Sequence, residues 1–449
     1  MQRKTLLKML GISVAVENFT ILNYNFRWKG NYKKDSSMIN SNSVPRPLYD
    51  KKLDKSVGTS NVKVLTGIRR CGKSTLLHML TKRMLGEGFP AQNIFYRKFD
   101  QFGMPINPDA EWLLSELSQA MAVSNPDYPF RVFLDEIQEV TSWEKVVRQL
   151  HTKTGVDVFI TGSNAYVLSS DLSTFLAGRY EQIEVYPLSF LEYKRFAKLS
   201  DDYPTDENEL LRTFLTYGGM PRLFELSFSQ DQEKRDELAT LFDAVIMNDV
   251  ARRARISDYD LLVKLIKYVC STSGSLFSSK KISDSLTSMG RKVKSETIDN
   301  YLTALEKAFA LYSCDQEGLL GKQVLRPMKK IYPVDTGFRN LPNGFSGADL
   351  GFQLENIVFM ELKRRGYAVF VGVMKEAEID FVAKRGGSKE YFQITTSLLD
   401  EGVYKREIAP LEAIKDSFPK TILTLDEWRR GVTPSGVKIM GIREWLLDC

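Results

Sequence analysis

The stretch VKVLTGIRRCGKSTLLHMLTKRML, residues 62–85, decides how the chain is read. It opens on a β-rich run with Val62, Val64 and Leu65 and passes through Gly67-x-x-x-x-Gly72-Lys73-Ser74. It closes on a segment that puts Leu76, Leu77, Leu80 and Leu85 on one helical face. Strand, glycine loop and helix in that order predict a phosphate-binding loop. The glycines let successive backbone N–H groups turn inward as an anion nest, and the helix N-terminus adds its partial positive charge. Lys73 is placed to reach the β and γ phosphates of a nucleotide, and Ser74 to ligate Mg²⁺. The expected nucleotide contacts of the loop are Gly67, Arg70, Cys71, Gly72, Lys73, Ser74 and Thr75. His78, in the following helix, is given no role.

Farther on, FRVFLDEIQEV (130–140) ends the apolar strand Val132, Phe133, Leu134 in Asp135 and Glu136. Phosphoryl transfer needs positioning and charge neutralisation more than covalent help. Asp135 is therefore the expected second metal residue, beside Ser74, and Glu136 the group that polarises the attacking water. A third strand, VDVFITGSNAYVL (156–168), ends in Ser163 and Asn164, polar groups where a γ-phosphate or its water could be sensed. The alternation of β and α segments from 61 to 187 predicts an α/β unit, a parallel sheet flanked by helices with ligand at the strands' carboxyl ends.

A length of 449 residues exceeds one ordinary core and predicts two or three domains. The composition is 43% apolar and 26% charged, and no apolar run is long enough to span a bilayer, so no membrane segment is expected. The net charge of +6 permits a polyanion partner without demanding one. Cys71, Cys270, Cys314 and Cys449 lack metal-ligand spacing and read as free thiols of a reducing cytoplasm. His78 and His151 are too few for a histidine-based zinc site. The start MQRKTLLKML resembles a signal peptide until Lys8 interrupts it and no cleavage site follows. Residues 1–37 show no period, and Met38 is the expected natural start.

GIRRCGKST (67–75), FLDEIQ (133–138), ITGSN (160–164), LAGRYEQIEVYPLSFLEY (176–193) and YGGMPRL (217–223) together resemble the AAA+ ATPases of the bacterial and archaeal AAA_14/DUF4143 family. The resemblance runs from residue 45 to about 445. It implies ATP and Mg²⁺ as cofactors, Asn164 as a sensor residue, and Arg179 as either an arginine finger offered to a neighbouring subunit of a homo-oligomer or a structural ion-pair residue. It also implies that the GGMP turn and Arg222 close a helical lid over the nucleotide, with an ordinary turn and surface arginine as the alternative.

The expected domains are an AAA+ unit (38–200), a lid and connector (201–255), a winged helix-turn-helix (256–335) and a small α/β nuclease-like domain (336–449). In the third of these, KKISDSLTSMGRKVKSETIDNYLTAL (280–305) predicts a helix with Ile282, Leu286 and Met289 inward. A second follows with Ile298, Tyr301, Leu302, Leu305 and Phe309 inward, and then a strand pair. Lys280, Lys281, Arg291, Lys292 and Lys294 gather at the turn, where DNA or RNA phosphates would be met; a solvated charge cluster is the alternative.

In the last unit, Glu355 on a helix, Asp380 on a strand and a second strand after a Gly-Gly turn resemble a PD-(D/E)xK nuclease core, but Gln393 and Thr395 stand where that pattern has Glu and Lys. The loss of a metal-binding charge and of a cation predicts a catalytically degenerate domain. A site rearranged around Glu376 and Glu378 is the alternative. The leading expectation is an ATP-hydrolysing switch or motor that engages nucleic acid. An ATP-gated switch acting on a protein partner and an ATP-dependent nuclease remain as alternatives.

Overall fold

The computed structural model describes residues 44–163, 178–319, 328–345, 349–374 and 377–448. The extension 1–37, Asn164, Glu376 and Cys449 lie outside them.

The chain enters through α1 (Pro47–Ser56) and β1 (Val62–Thr66), then α2 (Lys73–Gly86), β2 (Ile94–Lys98) and α3 (Ala110–Ala122). The sheet is completed by β3 (Phe130–Asp135), β4 (Val156–Thr161) and β5 (Tyr180–Glu184), with α4 (Trp143–Thr152) crossing between β3 and β4. All pairings are parallel and the order is β2-β3-β4-β1-β5. Each residue of β1 is buried, as a strand covered on both faces requires. On one side Val62 and Val64 pack with Leu113 of α3 and with Val146 and Leu150 of α4. On the other, Leu65 packs with Leu76, Leu77 and Leu80 of α2. The fold is the α/β one the alternation predicts, and β4 lies between β1 and β3, so a gap one strand wide separates the glycine loop from Asp135.

Helices α5 (Phe190–Ala197), α6 (Glu207–Tyr217) and α7 (Asp231–Ala244) follow, and α7 runs on into a π-helix, Val245–Arg252. Next come α8 (Tyr259–Ser271), β6 (Leu276–Phe277), α9 (Ser279–Ser288), α10 (Ser295–Lys307), β7 (Leu311–Gly318) and β8 (Lys329–Pro333). Strand β8 lies antiparallel to both β6 and β7. Ile298, Tyr301, Leu302 and Leu305 of α10 are buried, whereas Met289 falls just past the end of α9 and is 77% exposed.

The remaining elements are α11 (Thr336–Asn340), α12 (Leu350–Arg364), β9 (Ala368–Val373), β10 (Glu378–Arg385), β11 (Ser388–Thr395), α13 (Glu401–Ala413), β12 (Lys420–Thr424), β13 (Gly431–Val432), β14 (Lys438–Gly441) and α14 (Ile442–Leu447). Gly386 and Gly387, both at positive φ, make the two-residue turn that the β10–β11 hairpin requires. The boundary expected at 335/336 is not a break in the sheet. Gln316–Gly318 of β7 pair in parallel with Val371–Val373 of β9. Nine strands thus run continuously as β13-β14-β12-β11-β10-β9-β7-β8-β6 among the described residues. Tyr312 of β7 ties this sheet to the first, donating to Glu184 at 2.7 Å.

Candidate nucleotide site

Loop and carboxylates meet at the carboxyl ends of β1, β3 and β4. Gly67 adopts φ 136°, and a Cβ there would lie 2.1 Å from the Val185 carbonyl oxygen, so the position tolerates only glycine. Gly72, at φ 104°, caps α2. The buried Lys73 ammonium donates to the carbonyls of Gly67 at 2.8 Å and Ile68 at 3.1 Å. Ser74 donates to Asp135 at 2.9 Å, bringing together the hydroxyl and the carboxylate that the sequence analysis assigns to the metal. Thr161, at the end of β4, donates to the same carboxylate oxygen at 2.6 Å, and Tyr96 to the other at 3.2 Å. Burial pushes the Asp135 carboxyl above its ordinary value, partly offset by the Thr161 and Ser74 hydroxyls. The donor set of carboxylate and hydroxyl oxygens fits a hard divalent cation such as Mg²⁺.

Glu136 turns out of β3 in a left-handed conformation, φ 56° and ψ 49°, which costs a non-glycine residue about 1–3 kcal/mol and is fixed here by its N–H bonding to Thr161 at 2.9 Å. Burial alone would raise its carboxyl. Lys73, the Gln138 amide, Arg69 and Arg253 outweigh that and hold it below the ordinary carboxylate value, so it is anionic near neutral pH. Cys71 is buried in the loop, its thiol pushed up by that burial, and Thr75 is half-buried at the start of α2.

Sequence reasoning missed two supports of this site. Arg46, between Pro45 and Pro47, is 3% exposed and clamps Glu192 at 2.9 and 2.8 Å, while donating to the Cys71 carbonyl of the loop at 3.0 Å and to Tyr186 at 2.9 Å. Burial would lift the Glu192 carboxyl, but Arg46 holds it low. The second is Asp249 of the π-helix. Ser163 donates to it at 3.3 Å, and Arg69 and Arg253 lie 3.8 and 3.7 Å away. An arginine between prolines and an aspartate in a charged helix carry no local signal; only tertiary approach gives them partners.

The lid contacts differ from expectation. Arg222 pairs with Glu225 at 3.4 Å and Glu237 at 2.8 Å, and Glu237 also binds Arg70 of the loop at 2.6 Å, so Arg222 reaches the loop through one shared carboxylate. The GGMP turn meets Asp335: Gly219 donates to the Asp335 carboxylate at 2.6 Å, and a Cβ on Gly218 would collide with that carboxylate at 1.7 Å. Arg179 is exposed at the start of β5, where its carbonyl accepts from Val62. That is the amino end of the sheet, one strand length or roughly 15 Å from the loop. Within one chain it does not meet the nucleotide site, and among the described residues it forms no ion pair.

Two other clusters bear on the sequence analysis. Arg291 is locked in ion pairs with Asp258 at 2.7 Å and Asp260 at 2.5 Å and leaves the basic group, while Lys280, Lys281, Lys292 and Lys294 are exposed. In the last unit Thr395 leaves its own position without a cation, and one enters from another strand. Lys330 of β8 lies 2.7 Å from Glu378, 3.6 Å from Glu355 and 3.9 Å from Asp380.

A parallel sheet of this order with a glycine loop before α2, its lysine and serine, and an Asp-Glu pair on the strand beyond β4 defines a P-loop nucleoside-triphosphatase fold. The chain belongs to the AAA_14 family of AAA+ ATPases: the AAA domain family model matches residues 59–194, and a domain of unknown function, DUF8612, matches 208–349. An uncharacterized protein of Haemophilus influenzae is 34% identical over 405 residues, 90% of this chain and 99% of its own. An uncharacterized protein of Methanocaldococcus jannaschii is 31% identical, over 80% of this chain and 79% of its own. Among solved structures, the Walker-type ATPase paby2304 of Pyrococcus abyssi is 17% identical with a TM-score of 0.47, covering 67% of this chain and 96% of that one. No helix of the described residues is long and apolar enough to cross a membrane.

Proposed function

We propose that the chain binds ATP with Mg²⁺ at this loop, hydrolyses it, and uses the cycle to engage nucleic acid. The observation that carries the reading is the Ser74–Asp135 hydrogen bond, which unites the loop hydroxyl with the strand carboxylate at 2.9 Å. Lys73 would exchange its two carbonyl partners for phosphate oxygens, and the N–H groups at the start of α2 would hold the remaining charge. Mg²⁺ bound by Ser74 and Asp135 would supply charge neutralisation at the phosphates. Glu136, kept anionic by Lys73 and the nearby arginines, would take the proton of the attacking water. Arg179 can contribute only across a subunit interface, and Asn164 as a sensor follows from the family resemblance. Arg222 and Arg70, joined by Glu237, would couple the lid to the loop.

Lys73→Ala is expected to lose nucleotide affinity. Glu136→Gln should keep it while turnover falls about 10²-fold or more. Unchanged turnover in both variants, measured by phosphate release, removes the assignment.

For nucleic acid, the support is the helix–turn–helix and strand-pair order of α8–β8, read as a winged helix, with Lys280, Lys281, Lys292 and Lys294 exposed around its turn. Single-stranded DNA, duplex DNA or RNA should raise the ATPase rate, the effect should fade with added salt, and replacing these lysines by alanine should flatten the salt dependence. A second reading, a switch that acts on a protein partner, is favoured by Phe102 and Ile106, fully exposed on the loop that leaves β2 beside Asp135. No response to any polymer would select it.

A further inference from the structure

The carboxylates of the last unit form a further concentration of charge, apart from the nucleotide site. Glu355 projects from α12, and Glu378 and Asp380 share one face of β10. Hard divalent ions are drawn to such oxygen sets, and one would be expected to need several of them at bonding distance. The centre of the set is taken. Lys330 enters from β8, a strand of the helical unit, with its side chain 5% exposed and its ammonium within 4 Å of all three carboxylates.

Neighbouring groups bond two of the carboxylates as well. Tyr332, two residues along β8, donates to Glu355 at 3.2 Å, and the Ile394 N–H donates to Asp380 at 2.8 Å. Gln393, where the nuclease pattern has a carboxylate, donates its amide N–H to Glu407 at 2.8 Å and accepts from the Asp380 N–H at 3.3 Å. Glu407 in turn pairs with Arg406 at 2.7 Å, and among the described residues Lys330 is the cation within 4 Å of Glu355, Glu378 and Asp380.

We propose that Lys330 is the resident cation of this cluster, an ammonium standing where a divalent metal would otherwise be held. The domain then keeps its shape without metal, and the charge joins β6–β8 to α12 and β10 so that the helical unit and the last unit move as one body. A buried lysine within 4 Å of three carboxylates resists displacement because leaving would strip its counter-charge from a poorly solvated group. This inference stands on the cluster's own geometry and is independent of the ATPase reading.

The test uses the full chain without nucleotide, titrated with Mn²⁺ and followed by electron paramagnetic resonance, in wild type, Lys330→Met, Asp380→Asn and the double variant. Wild type should show no Mn²⁺ site that Asp380→Asn removes. Lys330→Met should gain one, at least about tenfold tighter than any in wild type, and the double variant should lack it. Lys330→Met should also melt about 5 °C or more lower, with part of the loss regained in the double variant, where one charge of each sign is gone. If Lys330→Met does not fold, recovery of folding in the double variant supports the counterion role. A double variant no more stable than the single overturns it. Mn²⁺ binding by wild type, or metal-dependent cutting of DNA or RNA by wild type, that Asp380→Asn abolishes would equally overturn it, because the lysine would then be a partner of the metal rather than its replacement.

Discussion

Two charged sites of this chain, the nucleotide site and the Lys330 cluster, contain the same kinds of group and arrange them oppositely. In the nucleotide site Lys73 is held by two carbonyl oxygens, and Asp135 is bonded by the neutral hydroxyls of Ser74, Thr161 and Tyr96. In the last unit the carboxylates hold the lysine itself. Hydroxyls can rotate, turning a lone pair toward an incoming cation, and the lysine of the first site is left to meet an anion. An ammonium already among carboxylates does neither. Whether a site is open to outside ions therefore depends on what the lysine touches, more than on how many carboxylates are present.

The sharpest way to break the comparison is to make the same substitution in both places. Asp135→Asn removes the charge from the open site and should lower Mg²⁺-dependent ATPase activity by about 10²-fold or more. Asp380→Asn, in the closed site, should leave it within about twofold, as distant independent positions usually do. Phosphate release at saturating ATP separates them; equal losses would mean that the closed site takes part in hydrolysis.

The contrast also sorts what was legible. Gly67 to Thr75 are contiguous, and Asp135 and Glu136 end an apolar strand, so sequence spacing alone delivers both halves of the open site. The parallel sheet follows from the same alternation. Lys330 cannot be found that way: it lies 50 residues from Asp380 along the chain and reaches it only because β7 pairs with β9. Arg46 and Asp249 are invisible for the same reason. Arg291 and Met289 show the opposite error, a helical period carried past the end of α9 and a charge counted as free that Asp258 and Asp260 neutralise.

A smaller effect should come from the support beneath the open site. Arg46→Ala leaves Glu192 buried without its partner, a change of the kind that costs about 3–5 kcal/mol, and it frees the Cys71 carbonyl of the loop. Chemical denaturation should show that loss, and nucleotide affinity should weaken in the same variant. Full stability with weaker binding would assign Arg46 to the loop alone.

Asp335 is the third case, a buried carboxylate with neither lysine nor hydroxyl, placed where the GGMP turn of the lid meets α11. Burial raises its carboxyl to about 6 from an ordinary 3.8, and the N–H groups of Gly219, Gly337 and Phe338 only partly counter that. The folded state therefore binds this proton more tightly than the unfolded chain. Its stabilising contribution is complete below about pH 4 and is lost as pH rises through about 6, a change of roughly 3 kcal/mol. Glu136 and Glu192, held low, push the whole-protein profile the other way, so the quantity to follow is the difference between wild type and Asp335→Asn. Wild type should lose stability relative to the variant between pH 4 and 7, and the hydrogen bonds altered by the amide shift that difference by a constant without changing its slope. A flat difference across the window would mean that the backbone N–H groups fully offset the burial of Asp335, and that burial does not govern it.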